Sequence, residues 1–250
     1  MRIIGKSIFA ALLLVMGFTE VNAQEKKGVD FQVQGDLVSS YVWRGMYQSG
    51  AAFQPTLGLS VGGFSATAWG SVDFTGQGHK EADLTLGYTI GGLTLSVADL
   101  WWAGESGIKN SNENGKNNYF NFNNHTTNHI LEAGISYQLP FEKFPLRLSW
   151  YTMVWGADKD VEGDQAYSTY IEAAYPFSVK TFDLVAMVGA SPWKSAANYL
   201  NDGFAVTNVS LRASKDIRIS ERFSIPVFTQ VLWNPNREDV HFVFGFSIRP

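Results

Sequence analysis

From Phe31 onward the sequence alternates with a period of two, in one long segment after another. The odd positions read Phe31, Val33, Gly35, Leu37, Ser39, Tyr41 and Trp43. The even positions read Gln32, Gln34, Asp36, Val38, Ser40, Val42 and Arg44. One face is therefore mostly apolar and aromatic, and the other carries amides and charges, as in a strand between two different media. The C-terminal stretch repeats this with opposite parity, setting Val240, Phe242, Phe244, Phe246 and Ile248 against His241, Val243, Gly245, Ser247 and Arg249. Ten further segments alternate in the same way: 52–61, 64–74, 81–90, 93–102, 128–139, 145–156, 166–176, 180–190, 204–219 and 223–233. The phase changes near Ala98, which predicts a β-bulge there.

Twelve strands follow, nearly all longer than the roughly 5–6 residues of an ordinary globular strand. A tilted strand crossing a bilayer needs about 9–11 residues. The connections point the same way. Short links at Gly62-Gly63, Gly91-Gly92, Pro140–Phe144, Phe177–Val179 and Ser220–Arg222 alternate with longer ones at 45–51, 75–80, 103–127, 157–165, 191–203 and 234–239. Short turns on one side and long loops on the other are the habit of outer-membrane barrels. The expected fold class is all-β: a transmembrane antiparallel β-barrel of about 12 strands with both termini periplasmic. The alternative is a secreted β-sandwich, which explains neither strand length nor aromatic placement. Trp43, Trp101, Trp102, Trp155 and Trp233 fall at the long-loop ends, with Trp193 just beyond. Phe31, Phe64, Tyr137, Phe141, Phe144, Phe177, Phe182, Phe223 and Phe246 fall at the other ends. These form two girdles at headgroup level. Pro55, Pro145, Pro176 and Pro226 count against closed pairing, but each lies near a strand end.

The N-terminus reads as an export signal. Arg2 and Lys6 precede an apolar run from Ile8 to Phe18, and Val21-Asn22-Ala23 offers small cleavage residues. Residues 1–23 are thus expected to be a signal peptide and 24–250 a single barrel domain in the cell outer membrane of a Gram-negative envelope. The chain has no Cys, which excludes disulfide scaffolds, thiolate metal sites and cysteine nucleophiles. Its 19 basic and 23 acidic residues leave no basic surface for nucleic acid. No cofactor is expected. The expected partners are outer-membrane lipid, the barrel assembly machinery and small hydrophilic solutes.

The stretch Asp36-Leu37-Val38-Ser39-Ser40-Tyr41-Val42-Trp43-Arg44-Gly45-Met46-Tyr47-Gln48-Ser49 resembles the opening signature of the TorF-type porin family. Its pattern, close to S-x-Y-x-x-R-G-x-x-Q-S, falls on Ser39, Tyr41, Arg44, Gly45, Gln48 and Ser49. Phe53-Gln54-Pro55, Leu57-Gly58-Leu59 and Trp69-Gly70-Ser71 continue the similarity, which is close over roughly 36–73. Pro250 departs from the terminal aromatic common in outer-membrane barrels. The resemblance implies a barrel with a transport role and does not name a solute.

Alternation assigns a set of pore-lining, solute-contacting candidates: Asp36, Arg44, Asp73, Asp83, Glu132, Arg147, Glu172, Asp183 and Arg212. Six are acidic and three basic, so a mild cation preference is expected. Charges belong on this face because Arg or Lys facing lipid costs about 2–4 kcal/mol at the midplane. Arg147, Glu172 and Asp183 sit on consecutive strands and read either as a constriction or as an ion-pair network filling the lumen. Arg44 reads equally as a solute contact at the mouth or as a lock on the first loop. Loop 103–127, with eight Asn from Asn110 to Asn124 and with Tyr119, Phe120 and Phe122, reads as a solvated surface loop, with a carbohydrate-binding lid or plug as the alternative.

Histidines offer little chemistry. His79 reads as a surface residue, and His125 and His129 do not make a helical metal face. A lipid hydrolase would need a nucleophile beside an outward His, and Thr127 and Leu131 are what flank His129. The expected function is passive diffusion of small hydrophilic solutes without enzymatic activity. An occluded structural or adhesive barrel is the alternative.

Overall fold

The computed structural model describes residues 28–76, 78–104, 118–220 and 223–249. The expected signal peptide, residues 105–117 of the long loop, residues 221–222 and Pro250 lie outside the described residues. The strands are β1 (Val29–Val38), β2 (Tyr41–Trp43), β3 (Met46–Ser49), β4 (Ala52–Val61), β5 (Phe64–Asp73), β6 (Lys80–Ile90) and β7 (Leu93–Ala103). They continue as β8 (His129–Gln138), β9 (Arg147–Gly156), β10 (Thr169–Val179), β11 (Phe182–Ser191), β12 (Ala205–Arg218), β13 (Ser224–Asn234) and β14 (Asp239–Ile248). Twelve of them close an antiparallel barrel in the order β1-β14-β13-β12-β11-β10-β9-β8-β7-β6-β5-β4, while β2 and β3 pair only with each other.

The alternation explains the wall. On β1, Gln34, Asp36 and Val38 are buried in the lumen while Phe31 and Val33 are exposed on the outside. Leu57, Leu59, Leu84, Leu86, Leu95 and Val97 continue the exposed apolar belt around neighbouring strands. So broad an apolar surface is untenable in water. Closure pairs the wall strands edge to edge and leaves the barrel without a free edge. An apolar outer wall around a polar interior is the build of a membrane-spanning barrel.

The prolines are absorbed locally. Pro55 pairs with Gly35 of β1, while the β4–β5 ladder skips from Phe53↔Val72 to Thr56↔Trp69. A residue without an N–H costs one rung on one side only.

Three expectations are corrected. The strand read as continuous through Trp43 ends at Val38, and the chain then turns inward. The bulge expected near Ala98 is absent, because β7 runs in unbroken register with β6 from Lys80↔Ala103 to Ile90↔Leu93. The apparent phase change has another cause: Ala98 and Leu100 face a packed interior, and outward-facing Asp99 is paired with His129. The turn expected at Phe177–Val179 lies at Lys180-Thr181, where Lys180 takes a positive φ of 58°.

Candidate functional site

The loop between β1 and β4 is a hairpin folded into the lumen. Ser39 fixes its departure point, where its N–H donates to the Phe244 carbonyl at 2.8 Å and its Oγ accepts from the Phe244 N–H at 2.9 Å. Trp43 pairs with Met46, so Arg44-Gly45 is a two-residue turn. Both take positive φ, 52° and 82°, as a type I′ hairpin turn requires. Glycine is required at the second position for a further reason. A Cβ on Gly45 would overlap the Thr207 carbonyl oxygen on β12. Asn234 donates from Nδ2 to the Gly45 carbonyl at 3.1 Å, which holds the tip to β13.

Arg44 crosses the lumen and locks the hairpin. Its Nη1 and Nη2 donate to Glu132 Oε2 and Oε1 on β8 at 2.6 and 2.8 Å. Nη1 also donates to the Tyr199 hydroxyl at 2.8 Å. The guanidinium lies over the rings of Trp43, Tyr151 and Tyr170 at 4.3, 4.6 and 4.9 Å. Its side chain is 10% exposed and that of Glu132 3%. A two-pronged pair this enclosed is strong only because both partners are present. Burial pushes the Tyr199 hydroxyl well above a phenol's ordinary range, so it remains protonated beside Arg44.

A second anchor is Glu81 on β6. It accepts from the Tyr41 hydroxyl at 2.8 Å and from Trp102 Nε1 at 2.7 Å, and His79 Nε2 lies 2.7 Å away. Glu81 is missing from the sequence-derived lining although it shares parity with Asp83. That shared parity is the signal that finds it. His79, expected on the surface, is wholly buried. Trp43 and Trp102, expected in the outer girdle, meet edge to edge inside the barrel at 5.5 Å. Of the other rings expected there, Trp233 and Trp193 are exposed, with Trp193 packed on Trp150 at 5.6 Å, whereas Trp101 is buried against Tyr119.

The loops after β9 and β11 close over this assembly. Asp158, fully buried, accepts from the Ser168 N–H at 2.9 Å and from Asn198 Nδ2 at 2.6 Å. Tyr199 then stacks on Trp43 and Tyr170 from above.

The hairpin does not fill the lumen. A cavity of about 50 Å³ remains beside it, toward β10–β14, with room for several waters. Ser40, Gln54, Glu172, Asn208, Arg212 and Gln230 contribute to its lining. Gln54 Oε1, Asn208 Oδ1 and Arg212 Nε are buried polar atoms with no hydrogen-bond partner among the described residues.

The expected lining residues thus divide into groups. Asp36, Asp73, Asp83, Glu132, Arg147, Glu172 and Arg212 are all buried on the inward face. Arg44 belongs to the hairpin rather than to the mouth of a wall strand. Asp183 is exposed at the short-turn rim, where it accepts from Ser178 Oγ at 2.9 Å. Of the trio Arg147, Glu172 and Asp183, Asp183 therefore stands apart, while Arg147 and Glu172 on adjoining strands act on each other's charge. Glu172 also accepts from the Tyr170 hydroxyl at 2.8 Å.

The described end of the long loop packs outside the wall. His129 is fully buried, with Nδ1 2.8 Å from Asp99 Oδ1 and Nε2 2.5 Å from the Tyr119 carbonyl oxygen. Phe122 stacks on its ring and Tyr119 meets Trp101 edge-on. With both nitrogens engaged, this outward Asp–His pair serves as a loop anchor. Replacing His129 with alanine should leave the barrel folded and make residues 118–128 readily cleavable in limited proteolysis. Cleavage no faster than in the parent would contradict the anchoring role.

No protein-family model and no curated protein matches the chain. Two solved structures are weakly similar to it. One is described as "Unveiling the Mechanism Behind the in-meso Crystallization of Membrane Proteins", with a TM-score of 0.45, 8% identity, and 88% of this chain and 83% of that one covered. The other is CdiB from Acinetobacter baumannii, with a TM-score of 0.40, 13% identity and 90% of this chain covered. The chain spans 60% of the length of CdiB.

Proposed function

We propose that the protein is an outer-membrane, porin-like channel that passes small hydrophilic solutes by diffusion, narrowed by the hairpin that Arg44 locks in place. The observation that carries this reading is the unfilled cavity beside the hairpin, where Ser40, Gln54, Glu172 and Arg212 share the lining with Val38, Met187 and Phe228. A barrel built only for strength gains by filling its interior with packed side chains. This one instead keeps amides, a carboxylate and a guanidinium around open space. The resemblance to TorF-type porins supports the same reading, and each signature residue lies in the hairpin or at its base. Exported placement follows from the N-terminal signal pattern. Lipid contacts the apolar wall, and the assembly machinery inserts the barrel.

The acidic excess of the inward face gives a mild cation preference that salt screens. Neutralising Asp36, Asp73 and Asp83 together should move the reversal potential in a salt gradient toward that of an unselective pore. An unchanged potential from a folded variant would remove these residues from the permeation path.

A second reading, an occluded structural barrel, is favoured by the aromatic packing around the hairpin. Tyr41, Trp43, Tyr151, Tyr170 and Tyr199 form one buried cluster with Met153 and Ile130. Single-channel recording separates the two, because an occluded barrel carries no current.

A further inference from the structure

Most charged groups in the lumen have partners. Arg44 has Glu132, Glu81 has Tyr41 and Trp102, and both oxygens of Asp36 lie 2.9 and 3.0 Å from Gln34 Nε2. Arg212 is different. It is 6% exposed and projects inward from β12 into the cavity beside the hairpin. Its guanidinium rests on the Phe228 ring at 3.6 Å, and its Nε has no hydrogen-bond partner. No ion pair to Arg212 exists among the described residues. Asp36, the acid whose charge it feels, is already engaged by Gln34.

A buried guanidinium without a partner is costly unless water or a ligand completes its donor set. Contact with a ring takes none of the guanidinium's N–H donors, and an Arg with free donors can offer a fork to an oxyanion. Ser40, Gln230 and Gln54 add neutral polar groups to a lining that Val38, Val42, Met187 and Leu232 complete with apolar ones. Gln230 Nε2 spends one donor on Ser210 Oγ at 3.3 Å and retains a second. The volume of about 50 Å³ limits what enters fully to a small oxyanion group rather than a whole sugar. Glu172 on the same cavity accepts a hydrogen bond from the Tyr170 hydroxyl.

From this geometry we infer that Arg212 forms an oxyanion-binding subsite inside the barrel, one that takes a small carboxylate or a phosphate. The inference deepens the channel reading by naming a solute class. It places a cationic site in a lumen whose charged side chains are mostly acidic.

Equilibrium binding tests it without requiring conduction. The refolded barrel in detergent, verified by its heat-dependent gel shift, is titrated calorimetrically with sodium acetate and, separately, with sodium phosphate. Sodium chloride and glucose serve as controls. Saturable binding of acetate or phosphate is expected, weakened about tenfold or more in Arg212→Met by loss of a charged hydrogen-bond donor. Arg212→Lys should recover part of it. Tighter binding of acetate than of phosphate would identify a carboxylate site; the reverse would identify a phosphate site. Absence of saturable binding in the folded parent, or binding unchanged in folded Arg212→Met, would overturn the inference. Binding without channel current would sink the channel reading and leave the subsite standing. Current without binding would do the opposite.

Discussion

Replacing Arg44 with methionine should both destabilise the barrel and widen its passage. The substitution leaves Glu132 buried without its partner, 3% exposed and facing a cluster of rings. Removing one member of a buried ion pair costs about 3–5 kcal/mol. Water reaching Glu132 through the vacated lumen places this case near the lower end. The loss is read as a lower midpoint in denaturant or a lower temperature for the heat-dependent gel shift. With its tip untied, the hairpin has less to hold it inside, and single-channel steps should grow. Glu132→Gln keeps an acceptor for Arg44 and should lose less. A folded Arg44→Met barrel with unchanged stability and unchanged steps would show that the pair is not the lock.

Replacing Gly45 with alanine should unseat the same hairpin without altering any charge. The backbone there has a φ of +82°, which costs an L-residue about 1–2 kcal/mol by itself. The added methyl also overlaps the Thr207 backbone carbonyl, which cannot rotate away as a side chain can. The hairpin must withdraw from β12 or the wall must distort. Enlarged or unstable current steps are expected in either case. Gly62→Ala is the matched control, since its φ of +57° carries similar strain but its Cβ would meet nothing within 4 Å. Equal behaviour of the two variants would mean that the tip does not need its close approach to Thr207.

The wall was legible because each of its residues answers to a local rule. Alternation marks which side of a strand meets lipid, and Gly62-Gly63 and Gly91-Gly92 mark where the chain reverses. The hairpin was not legible by that rule. Tyr41, Val42, Trp43 and Arg44 continue the phase of β1, so periodicity extends the strand straight through the point where it leaves the wall. The available clue was Arg44-Gly45, a pair flanked by alternating residues that can serve as a two-residue turn. Arg is not a usual turn residue and takes positive φ at a cost, so local rules place this pair at a strand end. That cost is met by contacts 88 and 155 positions away, at Glu132 and Tyr199, which no local pattern encodes.

The same blindness misplaced the aromatics. Trp43 and Trp102 have the composition and position of girdle residues, yet both serve the hairpin's inner cluster. In an ordinary barrel the inward face is wet, and large rings belong outside. Here the hairpin brings its own apolar surface into the lumen, so Ala98, Leu100, Ile130 and Met153 line part of the inward face as well. Asp99 and His129 break the outer pattern for the converse reason, because the long loop covers that patch of wall. Both exceptions to alternation mark places where a loop packs against the barrel.

The most direct test removes the hairpin. Val38 pairs with Ala52, so residues 39–51 can be replaced by a two-glycine turn that leaves the β1–β4 ladder intact. Single-channel conductance of parent and excised barrels, each verified as folded by its gel shift, should show small discrete steps for the parent and much larger ones for the excised form. Steps of equal size, or silence from both folded proteins, would contradict a channel constricted by this hairpin.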